Sequence, residues 1–123
     1  MKTLTLFAFT GIIFLGILLN SCKHEPILPP GPDVSFKNDI QKTISTKCTF
    51  ACHTGNGEEP LLLEYNDIFP RYVTIYKPLE SKLYKVITSH SSLNIMPPKS
   101  YEPVTRSQID EISIWILQGA KDN

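Results

Sequence analysis

The sequence is poor in the residues that carry most catalytic and nucleic-acid-binding functions. It has three cysteines, three histidines and two methionines, and its 12 Lys plus Arg are balanced by 12 Asp plus Glu. This balance argues against the basic surface that nucleic-acid binding needs. The sequence also lacks a recognisable nucleophile, base and acid set, and it lacks an open metal-site motif. No small-molecule substrate is evident, and an enzyme is not predicted.

The one long apolar run of the sequence is at the N-terminus, from Leu4 to Leu19, after the single charge of Lys2. This pattern is typical of a secretory signal, which is left out of the fold. The run ends in "LNSC", which resembles the lipobox of bacterial lipoproteins. The resemblance implies that residues 1–21 are a signal peptide, and that Cys22 is lipidated and anchors the chain to a membrane outside the cytoplasm. An uncleaved anchor is the alternative, although the run falls slightly short of the roughly 20 apolar residues that span a bilayer.

Residues 22–34 follow the predicted lipid anchor and contain four prolines. Such a segment favours an extended, polyproline-like tether over a packed element. We therefore expect one domain over residues 35–123, held clear of a membrane and facing the periplasm or the cell surface. A domain of this length buries a limited core, so help from a cofactor, a metal or a disulfide is expected.

The domain is predicted to be all-α or nearly so. A first helix ends near the cysteines with Ser35 or Asp33 as its cap, and a last helix begins at a Thr105–Gln108 capping box and stops at Gly119. A short helix before Pro70 is less clear, because the "YVTIY" that follows is rich in strand formers. The stretch "TGNGEEP" and residues 89–103 are predicted loops. Apolar residues at helical spacing are Phe36, Ile40 and Ile44; Leu83, Val86 and Ile87; and Ile109, Ile112, Trp115 and Ile116.

The stretch "CTFACH" contains Cys48, Cys52 and His53, and it holds the only thiols that remain once Cys22 is lipidated. The motif C-x-x-C-H attaches haem, because two thiols reach the two vinyl groups of the porphyrin and the next histidine lies under the iron. This sequence has one intervening residue more, which suits the same chemistry if that residue bulges outward.

Two simpler interpretations of "CTFACH" stay open. Cys48 and Cys52 would pair readily as a disulfide in an oxidising compartment. A zinc site is a weaker interpretation, since a structural site needs four ligands and only His24 and His90 are left to complete it.

Met96 is the only methionine left after removal of the signal, and it lies in "NIMPP". Pro97 biases Met96 toward an extended backbone and Pro98 stiffens the chain after it, so the thioether would be presented from a rigid loop. Methionine opposite histidine favours ferrous iron. The alternatives are that Met96 fills a gap in the core, or that His90 takes the distal position.

Residues 34–120, roughly, resemble the mono-haem c-type cytochrome domains of secreted and lipid-anchored bacterial proteins. The resemblance lies in the order of the elements: a helix, C-x-x-x-C-H, a loop, "SKLYKVI", "MPP" and a capped helix with "WILQGA". The resemblance implies a cytochrome c-like fold and one covalent haem c. It further implies that Cys48 and Cys52 carry the thioethers, that His53 is the proximal ligand and that Met96 is the distal ligand.

A cytochrome of this kind would exchange electrons with redox partner proteins of the cell envelope. Two other classes stay open: a haem-free interaction module closed by a disulfide, and a haem-based sensor or peroxidase-type protein with Met96 off the iron. In the haem interpretation, Trp115 is expected beside Phe36 and Ile40 and against the porphyrin edge. Four tyrosines are candidates to donate to a haem propionate: Tyr72, Tyr76, Tyr84 and Tyr101.

Overall fold

The computed structural model describes residues 31–50 and 52–123, and within these ranges it contains helices and no strand. The predicted all-α class agrees with this part of the chain. The predicted signal peptide, Cys22 and most of the tether lie outside the described residues. Among the described helices, none is both long and apolar enough to cross a bilayer.

The described part of the domain contains four helices and one short 3₁₀ turn. Helix α1 (residues 36–49) is one continuous run whose ends have the wider π geometry and whose middle is α-helical. Its three parts are Phe36–Ile40, Gln41–Ile44 and Ser45–Thr49. The other helices are α2 (Tyr65–Ile68), α3 (Lys82–Ile87) and α4 (Arg106–Leu117). A 3₁₀ turn at Pro78–Glu80 precedes α3.

The start of α1 is capped by side chains close in sequence and by the last residue of the chain. The hydroxyl of Ser35 accepts a hydrogen bond from the amide of Asn38 at 3.2 Å, as the sequence predicts for this cap. The same hydroxyl donates to the carbonyl of Asn123 at 2.7 Å, and the amide of Phe36 donates to the Asn123 side chain at 3.0 Å. Residue 123 therefore packs against the beginning of the first helix.

Helix α4 begins and ends where the sequence predicts. The amide of Gln108 donates to the hydroxyl of Thr105 at 3.3 Å, and the amide of Thr105 donates to the Gln108 side chain at 2.9 Å. This reciprocal pair satisfies two amides that the first turn leaves without a partner. Gly119 stops the helix with a φ of +96°, a left-handed conformation that glycine adopts without a steric cost.

The aromatic part of the core lies where α1 and α4 pack together, and the same buried cluster extends to residues of α2 and α3. The rings of Phe36 and Trp115 have centroids 5.7 Å apart, and Tyr65 meets Phe36 edge-on at 5.2 Å. The indole nitrogen of Trp115 donates to the carbonyl of Lys121 at 2.9 Å, so its polar atom is satisfied inside the protein. The expected packing of Trp115 beside Phe36 is confirmed. Fully buried side chains here include Phe36, Ile40, Ile44, Ile112, Trp115 and Ile116.

The "YVTIY" stretch is irregular and does not form a strand. Ser81, which is fully buried, accepts a hydrogen bond at 2.9 Å from the amide of Thr74 and donates to the carbonyl of Lys77 at 3.0 Å. These bonds fold residues 74–81 into a closed loop ahead of α3. The high strand propensity of these residues is overridden because no neighbouring strand is present in the described residues to pair with them.

Candidate functional site

A cavity of about 230 Å³ lies between the end of α1, helix α3 and the segment that begins at Met96. Its wall includes Cys48, Cys52, His53 and Met96. The fold thus brings together all of the predicted haem-binding residues, which come from two parts of the chain that are far apart in sequence. The predicted lipidation site, Cys22, lies outside the described residues.

The cysteine motif is shaped by a π turn. The amide of His53 donates to the carbonyl of Cys48 at 3.2 Å, and that of Phe50 donates to Ser45 at 3.1 Å. Both bonds span five residues, whereas an α-helical turn spans four. In C-x-x-C-H the histidine follows the first cysteine by four residues, so the wider turn absorbs the additional one. Phe50 is 85 % exposed and is not part of the cavity wall.

The loop after the motif is fastened back onto it. The buried hydroxyl of Thr49 donates to the carbonyl of Leu62, and the amide of Leu62 donates to the carbonyl of His53 at 3.1 Å. Leu62 itself is buried and lines the cavity. These contacts hold the loop of residues 54–60, "TGNGEEP", beside His53. The sequence predicts this loop correctly.

The ring of His53 is oriented by the backbone of Pro60. Its Nδ1 lies 2.6 Å from the Pro60 carbonyl oxygen, which can only accept a hydrogen bond. The proton of the neutral ring is therefore on Nδ1, and Nε2 keeps its lone pair. A histidine that ligates a metal is commonly held in this way, with its other nitrogen donating to a carbonyl.

Met96 is placed at the cavity by helix α3. Its amide donates to the carbonyl of Val86 at 3.0 Å, and the following Pro97 is buried. His90, the other candidate for the distal position, is exposed and is not part of the cavity wall. The structure therefore brings the methionine to the site and leaves the histidine of the same loop outside it.

Most of the cavity wall is apolar, and a smaller number of polar side chains line it as well. Of the four candidate tyrosines, Tyr72 and Tyr101 line the cavity and Tyr76 and Tyr84 do not. The ammonium group of Lys82 lies 5.4 Å from the centroid of the Tyr72 ring, within the range of a cation–π contact. Trp115, expected against the porphyrin edge, is fully buried in the core and is not in the wall. The aliphatic side chains of the wall are Leu62, Ile68, Leu83, Val86 and Ile87.

Both thiols of the motif are free and partly buried. Burial, and secondarily the neighbouring Cys52, raises the pKa of the Cys48 thiol from 9.0 to about 11. Cys48 is therefore protonated at neutral pH, which suits a group that faces an apolar cavity. The alternative disulfide between the two cysteines is not formed in this structure.

An ion pair that the sequence does not indicate also borders the cavity. The ammonium group of Lys47 lies 2.8 Å from the carboxylate of Glu102, and the two side chains are 10 % and 80 % exposed, respectively. Lys47 lines the cavity and directly precedes Cys48. Sequence reasoning missed both residues, since nothing local to either of them signals a partner so far along the chain.

The arrangement of donors differs from that of a zinc centre. Within residues 31–50 and 52–123, no group of three or more His, Cys, Asp or Glu side chains is placed to hold one metal ion. Zinc needs its ligands to converge at about 2.0–2.3 Å from a single point. Covalent haem needs the two thiols at the porphyrin edge and the axial ligands on opposite faces, so its protein ligands do not converge.

Comparison with protein-family models finds no match for the chain, and comparisons with curated proteins and with solved structures find none either.

Proposed function

We propose that residues 35–123 form a c-type cytochrome domain with a cytochrome c-like fold, which holds one covalent haem c and transfers single electrons. The observation that carries this proposal is that Cys48, Cys52, His53 and Met96 line one cavity. In addition, Nδ1 of His53 donates a hydrogen bond to the carbonyl of Pro60. Each of the four residues has the chemical group that covalent haem requires, and each faces the same space.

The two free thiols suit covalent attachment. Each sulfur would bond to one carbon of a vinyl group while the thiol hydrogen passes to the other carbon, so the addition needs no oxidant or reductant. The thiols must be reduced for this step, and Cys48 and Cys52 are not bonded to each other. The π turn keeps both of them on the cavity wall despite the third intervening residue.

The histidine and the methionine would occupy the two axial positions. Nε2 of His53 is the unprotonated nitrogen of its ring, and Met96 is a soft ligand that stabilises ferrous iron and raises the reduction potential. Bound haem would supply an iron centre that gains and loses one electron. With both positions filled, no place is left for a substrate, so the proposal is an electron carrier and not an enzyme.

The rest of the wall fits a porphyrin, which is apolar across its face and carries two carboxylates at one edge. Five aliphatic side chains line the cavity, and so do two cationic residues, Lys47 and Lys82, and two phenols, Tyr72 and Tyr101. Haem in this space would also bury apolar surface that a domain of this size has little of elsewhere.

Lipidation of Cys22 and an envelope location facing the periplasm or the cell surface are part of the same proposal, because haem c is attached outside the cytoplasm. The partners would then be redox proteins of the cell envelope, which the domain reaches on its proline-rich tether.

The test is expression of the full chain with a cytochrome c maturation system, followed by a denaturing gel stained for haem and by reduced spectra with and without carbon monoxide. We expect stained haem in the wild-type chain and none in the Cys48→Ser/Cys52→Ser double variant. Absence of stain from the wild-type chain would exclude the proposal and favour a haem-free module.

Variants of Met96 decide between a carrier and a sensor or peroxidase-type protein. Carbon monoxide should leave the wild-type spectrum and that of Met96→His unchanged, and should shift that of Met96→Ala. The reduction potential should fall in Met96→His by on the order of 100 mV, since axial ligands tune haem potentials over a wide range. A wild-type spectrum that shifts with carbon monoxide would mean that Met96 is not on the iron.

A further inference from the structure

The ion pair of Lys47 and Glu102 joins the two sides of the cavity. Lys47 belongs to helix α1 and is next to Cys48, so it is part of the element that carries the thiols. Glu102 ends the segment that begins at Met96. The nitrogen–oxygen distance of 2.8 Å is that of a direct, charge-assisted hydrogen bond.

The segment of residues 96–102, here called the distal segment, is fastened at both ends. At its start the amide of Met96 donates to the carbonyl of Val86 at 3.0 Å, and at its end Glu102 pairs with Lys47. Between them, Pro97 is buried and the amide of Tyr101 closes a turn onto the carbonyl of Pro98 at 2.9 Å. The two prolines restrict the backbone within this segment, so its position against the cavity depends on these end contacts.

The two members of the pair differ in what their loss would do. Glu102 is largely exposed, and an ordinary surface ion pair contributes little to stability. Lys47 is only 10 % exposed, so loss of Glu102 would leave an ammonium group inside the wall without a partner. That group would then draw water into the cavity or push the wall apart, and the distal segment is the part of the wall that Glu102 held.

We propose that the Lys47–Glu102 pair is a clasp that holds the distal segment against the cavity and so keeps Met96 at the distal position when other ligands compete for it. Lys47 and Glu102 are positioning residues in this proposal, which rests on the proposed function. The clasp sets how often the distal position opens, and therefore how well the domain is protected from small ligands that would stop electron transfer.

The test in the haem-loaded full chain is a titration of the ferric protein with imidazole, followed by its visible spectrum. The apparent affinity for a competing ligand scales with the fraction of molecules whose site is open. We expect Glu102→Ala to bind imidazole about tenfold more tightly than the wild-type chain, which corresponds to a change in opening of about 1.4 kcal/mol. Lys47→Met should act in the same direction.

The matched control is Glu58→Ala, which removes an exposed carboxylate that has no ion pair among the described residues. Its imidazole affinity should equal that of the wild-type chain. The charge-swapped double variant Lys47→Glu/Glu102→Lys should return the affinity toward the wild-type value, which a general loss of packing would not do. Added salt should raise imidazole binding in the wild-type chain and change it little in Glu102→Ala, because salt screens the pair.

A second measurement does not depend on haem. In the haem-free chain, the amide of Tyr101 should exchange its hydrogen about tenfold faster in Glu102→Ala than in the wild-type chain or in Glu58→Ala, because the turn that protects it would open more often. Wild-type rates and affinities in Glu102→Ala would overturn the clasp even if haem is attached normally. Absence of covalent haem from the wild-type chain would instead count against the proposed function, and the exchange rates would still decide on the clasp.

Discussion

The Nδ1 atom of His53 lies 2.6 Å from the carbonyl oxygen of Pro60, and this contact places the proton of the ring on the nitrogen that faces the backbone. The other nitrogen is left with its lone pair, on a residue that lines the same cavity as Met96. His90, which has no such contact among the described residues and is exposed, differs from His53 in both respects.

This contrast predicts different outcomes for the two histidines. His53→Ala should lose the low-spin haem spectrum, because the proposed proximal ligand is gone, and the amount of stained haem should fall severalfold. His90→Ala should match the wild-type chain in both measurements. A normal spectrum in His53→Ala, or a changed spectrum in His90→Ala, would contradict the assignment of the axial ligands.

The π turn at the cysteine motif predicts that the third intervening residue is dispensable. Deletion of Phe50, which is 85 % exposed, would leave two intervening residues and let an α-helical turn replace the wider one. We expect this deletion variant to carry as much covalent haem as the wild-type chain, measured as haem stain per amount of protein.

Insertion of one alanine after Phe50 is the matched change in the opposite direction. Neither an α nor a π turn accommodates four intervening residues, so covalent haem should decrease severalfold. The mass of the reduced, denatured chain should show one haem in the wild-type and in the deletion variant. Equal haem content in the insertion variant would show that the turn geometry does not limit attachment.

The buried thiol of Cys48 predicts a pH dependence of the haem-free chain. Its pKa is raised to about 11 in the folded state, first by burial and then by Cys52, against 9.0 for an unperturbed thiol. Between these two values the unfolded chain loses the proton while the folded chain keeps it, so the stability contributed by this group is complete below pH 9 and declines as the pH rises to 11. The loss should amount to about 2 kcal/mol.

The measurement is urea unfolding of the haem-free chain in reducing buffer at several pH values, compared with Cys48→Ala. Tyr65, whose pKa burial and then Asp122 also raise, contributes to the decline in both proteins. The difference between them therefore isolates Cys48. Parallel stability curves for the two proteins from pH 8 to 11 would show that Cys48 does not titrate as described.

Trp115 and Ile87 belong to the same buried core, but only Ile87 lines the cavity, so their substitution should affect the haem spectrum differently. Trp115→Ala should destabilise the domain by about 3–5 kcal/mol, the range for loss of a fully buried large aromatic side chain. The haem spectrum of the fraction that stays folded should be unchanged, because Trp115 does not line the cavity. Thermal melts by circular dichroism check the first expectation.

Ile87→Ala is the comparison, since Ile87 is buried and also lines the cavity. This variant should lower stability by about 2–5 kcal/mol and should also shift the haem spectrum or the potential, because the space it leaves adjoins the cofactor. A spectral change in Trp115→Ala equal to that in Ile87→Ala would contradict the expectation that the haem spectrum responds to the side chains of the cavity wall.

Much of the architecture could be predicted from short stretches of sequence. The cap at Ser35, the capping box of Thr105 and Gln108, and the stop at Gly119 each depend on hydrogen bonds or backbone angles within a few residues. The absence of a strand in "YVTIY" could not be predicted in the same way. It depends on Ser81, whose hydroxyl closes that stretch into a loop, and on the lack of a neighbouring strand within the described part of the domain.

The sequence by itself determined which reactive groups are present and which local structures form. The groups are two thiols and a histidine in one motif and one methionine before two prolines, and the local structures are amphipathic helices with their caps. These follow from residue types and from local spacing, which act whatever the rest of the chain does. Only the tertiary structure decided that Met96 and not His90 joins the cysteine motif, that a Pro60 carbonyl orients His53, and that Glu102 pairs with Lys47. Those relationships depend on how α1, α3 and the distal segment pack, because contacts between residues distant in sequence form only when burial of the core has brought their backbones together.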